Sequence, residues 1–249
     1  MEEAKDVLVQ AGNANVQGKV TASTHCQHNH YTADKNVKVE EYRSGKNEKY
    51  QATKIQADNL VVDVDNRLNV SGADIQAKQA SIIGGQTHFG TQITTNESNA
   101  RKHQSKGLWF REETDKTKAQ TVHRTTVTAD KLNVVATKGQ VTGNAVKLAG
   151  QDAFVYGDKG VALKGVTQTT QAEATSKFKN ETARLRTGSS SQTANTQALV
   201  ASELQFKNLS VGGSDVHLSA VKGQIDGQLF VQNKGKAEFV SQATKNTYN

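Results

Sequence analysis

All-β is the fold class the sequence predicts, and three observations predict it. The 249 residues include no proline, where average usage of roughly 5% would supply about 12. Valine outnumbers leucine 25 to 13, and β-branched side chains suit a pleated surface better than a helix. Short apolar segments recur, each cut by glycine, at intervals too short for a helix and matched to strands joined by turns.

The spacing inside the middle segment refines the class. Val134, Val141, Leu148 and Val155 fall seven apart, a period that a helical heptad would also give. Gly139, Gly143, Gly150, Gly157, Gly160 and Gly165 stand in the same stretch, and each would cost about 1 kcal/mol inside a helix. Three strands and three turns per coil of roughly 20 residues, stacked at about 4.8 Å, describe a right-handed parallel β-helix. Each strand of such a coil has a neighbour above and below, so every N–H must enter a ladder and proline is excluded. Alternation then assigns the inward side chains: Leu60, Val62, Val70, Ile75, Leu132, Val134, Val141, Leu148, Val155, Leu204, Phe206, Val211, Leu218 and Ile225.

The chain divides into coil blocks at about 6–22, 56–87, 128–165 and 200–233, separated by polar excursions at about 23–55, 88–127 and 166–199. Leu60 and Leu132 lie 72 residues apart in matching contexts, and Ser202-Glu203-Leu204 matches Asp130-Lys131-Leu132 after another 72. A second match, 136–143 against 220–227, needs a shift of 84 and suggests about twelve inserted residues in the last block. The excursions are polar without being repetitive and read as extended hairpins, with disordered loops as the alternative; the 88–127 excursion has a turn at Ser105-Lys106-Gly107. Val240-Ser241-Gln242-Ala243-Thr244 resembles the entry into the earlier excursions, so the expectation is a segment of a longer repeat array forming one β-helical unit.

Composition removes several function classes. The single cysteine, Cys26, cannot form an intramolecular disulfide, and no run of 18 apolar residues exists to span a membrane as a helix. No phosphate-cradling loop, dinucleotide fingerprint or Ser-His-Asp order is present. Asp63 and Asp65 alternate on one strand face without a third partner, so no catalytic residue, enzyme activity or cofactor is expected.

Two local features carry binding chemistry. In Thr24-His25-Cys26-Gln27-His28-Asn29-His30, period-two alternation puts Cys26, His28 and His30 on one strand face, a thiol and two imidazoles of the kind that bind zinc or copper. The competing reading is an exposed polar hairpin. Basic residues gather in the second excursion at Arg101, Lys102, Lys106, Arg111, Lys116, Lys118 and Arg124, beside Trp109 and Phe110. Of these, Arg101, Lys102, Lys106, Trp109, Phe110 and Arg111 form the candidate partner-binding group, toward an anionic glycan or a bacterial surface and not toward nucleic acid; solvated hairpin charge is the alternative.

The blocks Leu132-Asn133-Val134-Val135-Ala136 and Gln140-Val141-Thr142-Gly143, alternating with Ser/Thr/Lys-rich excursions, resemble the haemagglutinin repeats of filamentous-haemagglutinin-type exoproteins. His103-Gln104-Ser105-Lys106-Gly107-Leu108, Gln120-Thr121-Val122 and Thr126-Val127-Thr128-Ala129-Asp130 are similar to that family's linkers. The resemblance covers almost the whole chain. It implies secretion by a Gram-negative bacterium through a dedicated outer-membrane partner, a cell-surface location, and a role as adhesin or as stalk in contact-dependent growth inhibition. In toxin-delivering members such repeats are thought to meet the target cell's outer membrane. The expected partners are therefore the outer-membrane surface or a receptor of a neighbouring cell, the secretion partner of the parent protein, and an anionic glycan.

Overall fold

The structure is a computed structural model describing residues 4–181 and 185–248. It is almost entirely strand, and the all-β prediction holds. In chain order the strands are β1 (Ala4–Gln17), β2 (Lys19–Ala33), β3 (Val37–Gln51), β4 (Thr53–Ser71), β5 (Ala73–Lys106), β6 (Trp109–Arg124), β7 (Thr126–Ala136), β8 (Gln140–Asn144), β9 (Lys147–Gly157), β10 (Gly160–Lys164), β11 (Val166–Glu181), β12 (Leu185–Val200), β13 (Ser202–Phe206), β14 (Asn208–Gly213), β15 (Val216–Ser219), β16 (Val221–Ile225), β17 (Leu229–Asn233), β18 (Ala237–Val240) and β19 (Thr247–Tyr248).

Two kinds of ladder share these strands. In the first the chain returns parallel to itself after each turn: Ile55 pairs with Ile75, Leu132 with Ala153 and Leu209 with Leu229, offsets of 20 or 21 residues. This is the pairing a β-helix requires. Stacking matches like with like, so Val9, Val62, Ile82, Val134, Val155, Val211 and Val231 form one continuous inward column. Beside it Leu60, Ala80, Leu132, Ala153 and Leu209 alternate large with small, which lets neighbouring turns interdigitate. All the predicted inward residues are buried except Ile225, which packs partly buried against the core's last turn.

The second ladder is antiparallel. Hairpins at 19–51, 91–124 and 166–200 leave the coil and pair edge to edge, β3 with β5 and β6 with β11. The result is a six-stranded sheet in the order β2-β3-β5-β6-β11-β12, with β19 added to β12 at Ala194 and Asn195. The pitch of the coil makes this sheet continuous. Two coil turns separate successive hairpins and rise about 9.6 Å, which is also the width of a two-stranded hairpin.

The repeat differs from its sequence alignment in one respect. Leu204 stacks on Leu148, and through it on Val127, whereas the coil equivalent of Leu132 is Leu209. Likewise Val221–Ile225 pairs with Ser202–Phe206, while Val141 pairs with Val161 on another side of the coil. The 84-residue match therefore aligned strands from two different sides, and no twelve-residue insertion is needed. Each side of the coil carries the same period-two pattern, so a short aliphatic match cannot tell one from another.

Corners are set by backbone that side chains resist. Gly150 has φ +157, and a Cβ there would stand 1.7 Å from the Ala129 carbonyl oxygen of the turn below. Gly72, at φ +61, joins β4 to β5 where hairpin bases crowd the coil.

Candidate contact surface on the hairpin sheet

Each hairpin is locked to the coil by a hydroxyl placed just after its returning strand. Thr125 is fully buried; its Oγ1 accepts from Gly72 N–H at 2.9 Å and lies 2.7 Å from the Gly90 carbonyl oxygen. Ser202, also fully buried, accepts from Val146 N–H at 3.2 Å and donates to the Lys164 carbonyl at 2.8 Å. Thr53 donates to the Gln17 carbonyl at 2.5 Å. The sequence signal is a hydroxyl residue two before an inward aliphatic (Thr53-x-Ile55, Thr125-x-Val127, Ser202-x-Leu204), a pattern that straddles the boundary between excursion and block.

Between hairpins, side chains bridge the bases where the strands have not yet met. Glu48 accepts from Thr95 N–H at 2.6 Å while Asn96 accepts from Glu48 N–H at 2.9 Å. Gln168 accepts from Val122 N–H at 3.3 Å, and Asn246 from Gln197 N–H at 2.8 Å. Tyr50 stacks on His123 with ring centroids 4.0 Å apart, and the His123 Nε2 sits 2.9 Å from Thr94 Oγ1. Burial in this stack pushes the His123 pKa down, favouring the neutral ring.

The predicted partner-binding residues do converge on the second hairpin, but not as a free cationic cluster. Alternation puts Arg101 and Phe110 on one face of the sheet and Lys102, Lys106, Trp109 and Arg111 on the other. Trp109 is cross-strand from Lys106, and Phe110 stacks against His103 at 6.0 Å, so the adjacent aromatics point in opposite directions. The basic side chains are matched by carboxylates: Arg101 with Glu112 at 2.7 Å, Lys102 with Glu41 at 3.1 Å, Arg111 with Glu113, Lys116 with Glu173 at 3.3 Å, Lys118 with Glu97 at 2.9 Å, and Arg124 with Glu203 at 2.8 Å. Among the described residues Lys106 has no ion pair. The sequence showed the cations and could not show that strand register brings Glu112, Glu41, Glu173 and Glu97 to Arg101, Lys102, Lys116 and Lys118.

These pairs hold Glu112, Glu97, Glu41 and Glu203 below the usual carboxylate range, in each case first through the hydrogen bond from the basic partner. Glu48 is lowered by Lys46 and then by the Thr95 amide.

Cys26, His28 and His30 lie on β2, share one face as expected, and are all exposed. They face Ser44, Tyr42 and Glu40 across the hairpin. Among the described residues no group of three His, Cys, Asp or Glu side chains is placed to hold a metal ion. Same-face neighbours on an extended strand stand about 7 Å apart, too far to close on one ion without a further ligand from elsewhere. No helix among the described residues is long and apolar enough to cross a membrane.

Comparison with known proteins gives one distant relation. The chain is 23% identical over 232 residues to a hemolysin from Proteus mirabilis, covering 90% of this chain and 14% of that protein. No family model matches the chain. No solved structure matches it either. This distant likeness to a hemolysin is consistent with the haemagglutinin-type resemblance and goes no further.

Proposed function

We propose that this chain is a non-catalytic segment of a secreted surface exoprotein, in which the coil acts as stalk and the hairpin sheet as the surface that meets the outer membrane of a neighbouring cell during contact-dependent toxin delivery. The observation that carries this reading is the hairpin sheet. Six long strands are fastened to the coil by hydroxyls, two of them fully buried, and to each other by ladders, so that polar hairpins form one rigid platform. A catalytic groove needs converging ionisable groups, whereas the charges here satisfy one another. The likeness to a hemolysin supports export as part of a longer protein, and in this reading a dedicated outer-membrane partner performs that export.

The second reading is a host-cell or biofilm adhesin that binds anionic glycans. Ion pairing at Arg101, Lys102, Arg111, Lys116 and Lys118 weighs against it, because an anionic polymer would have to displace a carboxylate at each. Labelled chain titrated onto intact Gram-negative cells tests the first reading. Saturable binding is expected, weakened by Leu108→Ser with Trp109→Ser at the hairpin tip, where Leu108 is 59% exposed. Absence of binding, or binding indifferent to that variant, overturns it. Retention on a sulfated polysaccharide column at 0.15 M salt, with no binding to the cells, favours the adhesin.

A further inference from the structure

We propose that a recess on the coil, between Arg67 and Lys159, binds a phosphate monoester, with the phosphate on those two cations and its hydroxyl-bearing remainder over Asn69, His88 and Thr142. The inference is independent of the cell-contact reading. It concerns the middle of the coil, where β1 stacks on one side of the recess and β15 on the other.

The recess is built by register. Arg67 pairs with Gln86 and Asn69 with His88, and on the next turn Thr87 pairs with Val141 and His88 with Thr142. Three successive turns therefore place Arg67, Gln86 and Gln140 in one outward column and Asn69, His88 and Thr142 in the next. Turns are about 4.8 Å apart, and outward neighbours on one strand about 7 Å apart. Lys159 enters from the turn between β9 and β10. Gly139 lets Gln86 lie across its corner, since a Cβ there would stand 2.5 Å from Gln86 Cγ. The enclosed volume is about 600 Å³, more than a bare oxyanion fills and within the range of small-ligand sites.

Its charge is unanswered. No carboxylate lines the recess. Among the described residues neither Arg67 nor Lys159 has a side-chain hydrogen bond or an ion pair, although Asp65 and Asp158 stand in adjacent turns. The hairpins show the opposite pattern, with Arg101, Lys102, Lys116 and Lys118 each against a glutamate. Burial, then Lys164 and then Arg67, push the His88 pKa down, and no carboxylate opposes them. Two cations turned toward one recess repel each other, a cost that a bound anion removes.

The donors select the anion. Arg67, Lys159 and the Gln86 amide are unpartnered, whereas the opposite wall is already fixed: Asn69 donates to Asn15 Oδ1 at 2.9 Å, and His88 Nδ1 lies 2.7 Å from Thr142 Oγ1. Free donors approach from two turns and a corner. A carboxylate offers its two oxygens in one plane, while a tetrahedral oxyanion offers oxygens in all three directions, and the guanidinium fork suits phosphate in particular. Two cations favour a phosphate monoester, with close to two negative charges, over a singly charged sulfate ester. The polar wall of amide, imidazole and hydroxyl supplies hydrogen bonds for the alcohol part of the ester.

Equilibrium dialysis of the chain against radiolabelled glucose monophosphate at neutral pH is expected to show saturable binding with a dissociation constant below ~1 mM. Inorganic phosphate and glucose sulfate should compete at least ~10-fold less well, and glucose not at all. Arg67→Gln with Lys159→Gln should weaken binding at least ~10-fold without changing the far-UV spectrum, because both residues are exposed. Gln86→Glu, which sets an acid beside Arg67, should do the same. The control, Lys54→Gln with Lys131→Gln, removes equal charge elsewhere on the coil and should leave binding intact. Vesicles of phosphatidylcholine with phosphatidic acid separate two sources of the ester. Pelleting abolished by Arg67→Gln with Lys159→Gln places it on a membrane lipid, and dialysis binding without pelleting places it on a sugar. No binding up to ~10 mM ester, far weaker than specific recognition, overturns the proposal. So does binding that survives the Arg67 and Lys159 variant, that the control abolishes, or that inorganic phosphate or glucose sulfate matches.

Discussion

Replacing Thr125 with valine tests how the hairpins are attached to the coil. Valine keeps the shape of threonine and removes only the hydroxyl. That hydroxyl accepts the Gly72 N–H at 2.9 Å and donates its one proton to a carbonyl, Gly90 at 2.7 Å being nearer than Val70 at 3.1 Å. Thr125 is fully buried, so no water replaces the lost partner. Leaving one N–H and one carbonyl unsatisfied costs about 1–3 kcal/mol for each group, and the sum for Thr125→Val is about 2–6 kcal/mol. Thr125→Ser retains the oxygen and loses one methyl, a loss of about 1 kcal/mol. Guanidinium titrations followed by far-UV circular dichroism, and by fluorescence of Trp109 at the tip of the same hairpin, measure both. The expected order is wild type, serine, valine. If valine fell within ~0.5 kcal/mol of wild type, the scale of an ordinary surface substitution, or below serine in its effect, the hydroxyl would not be the fastening, and the attachment would have to reside in the ladder alone.

Other consequences are measurable in the same way. Val134→Ala, at the centre of the inward valine column, removes two buried methyl groups and should cost about 2–3 kcal/mol, while outward-facing Val135→Ala should cost less than about 1 kcal/mol; equal losses would refute the assigned register. Gly150→Ala forces a Cβ against the Ala129 carbonyl at φ +157 and should lower the unfolding midpoint by more than alanine at exposed Gly12, where nothing stands within 4 Å. Acid should weaken the fold in two stages. His88 and His123 are held neutral by burial, so stability present above the usual 6.5 declines as pH falls below it, and His123→Phe should flatten that first stage. The lowered Glu41, Glu48, Glu97 and Glu112 contribute above the usual 4.5, and that contribution is lost as pH falls through their depressed values; an acid profile of the melting temperature without a second decline would contradict the ion-pair register.

The coil was legible because its signals are local. Absence of proline, the excess of valine and glycine-cut alternation all follow from a strand that must hydrogen-bond on both sides and bury one face, and each is visible in a window of a few residues. Leu60, Val134 and Leu148 could be placed inward from such windows alone. Their neighbours in space could not. Leu204 carries the same alternation as Leu209, and only the stacking shows that Leu209, not Leu204, sits above Leu132's place in the column.

For the contact surface the limit is sharper. Arg101 and Lys102 read as part of an open basic cluster because the glutamates that answer them lie across a turn, at Glu112, and 61 residues away, at Glu41, whereas Arg111 is answered by Glu113 on its own strand. The residue types on a hairpin are written in its sequence; the register that sets one hairpin against the next is a property of the coil pitch. The sequence by itself determined that this protein is built of strands, which side chains face inward, and that polar hairpins alternate with apolar turns. Tertiary structure alone decided that those hairpins merge into one sheet and that Arg101, Lys102, Lys116 and Lys118 meet carboxylates on other strands. The physical reason is that alternation fixes the direction of a side chain, whereas its partner is fixed by the rise of two coil turns, a length no local pattern encodes.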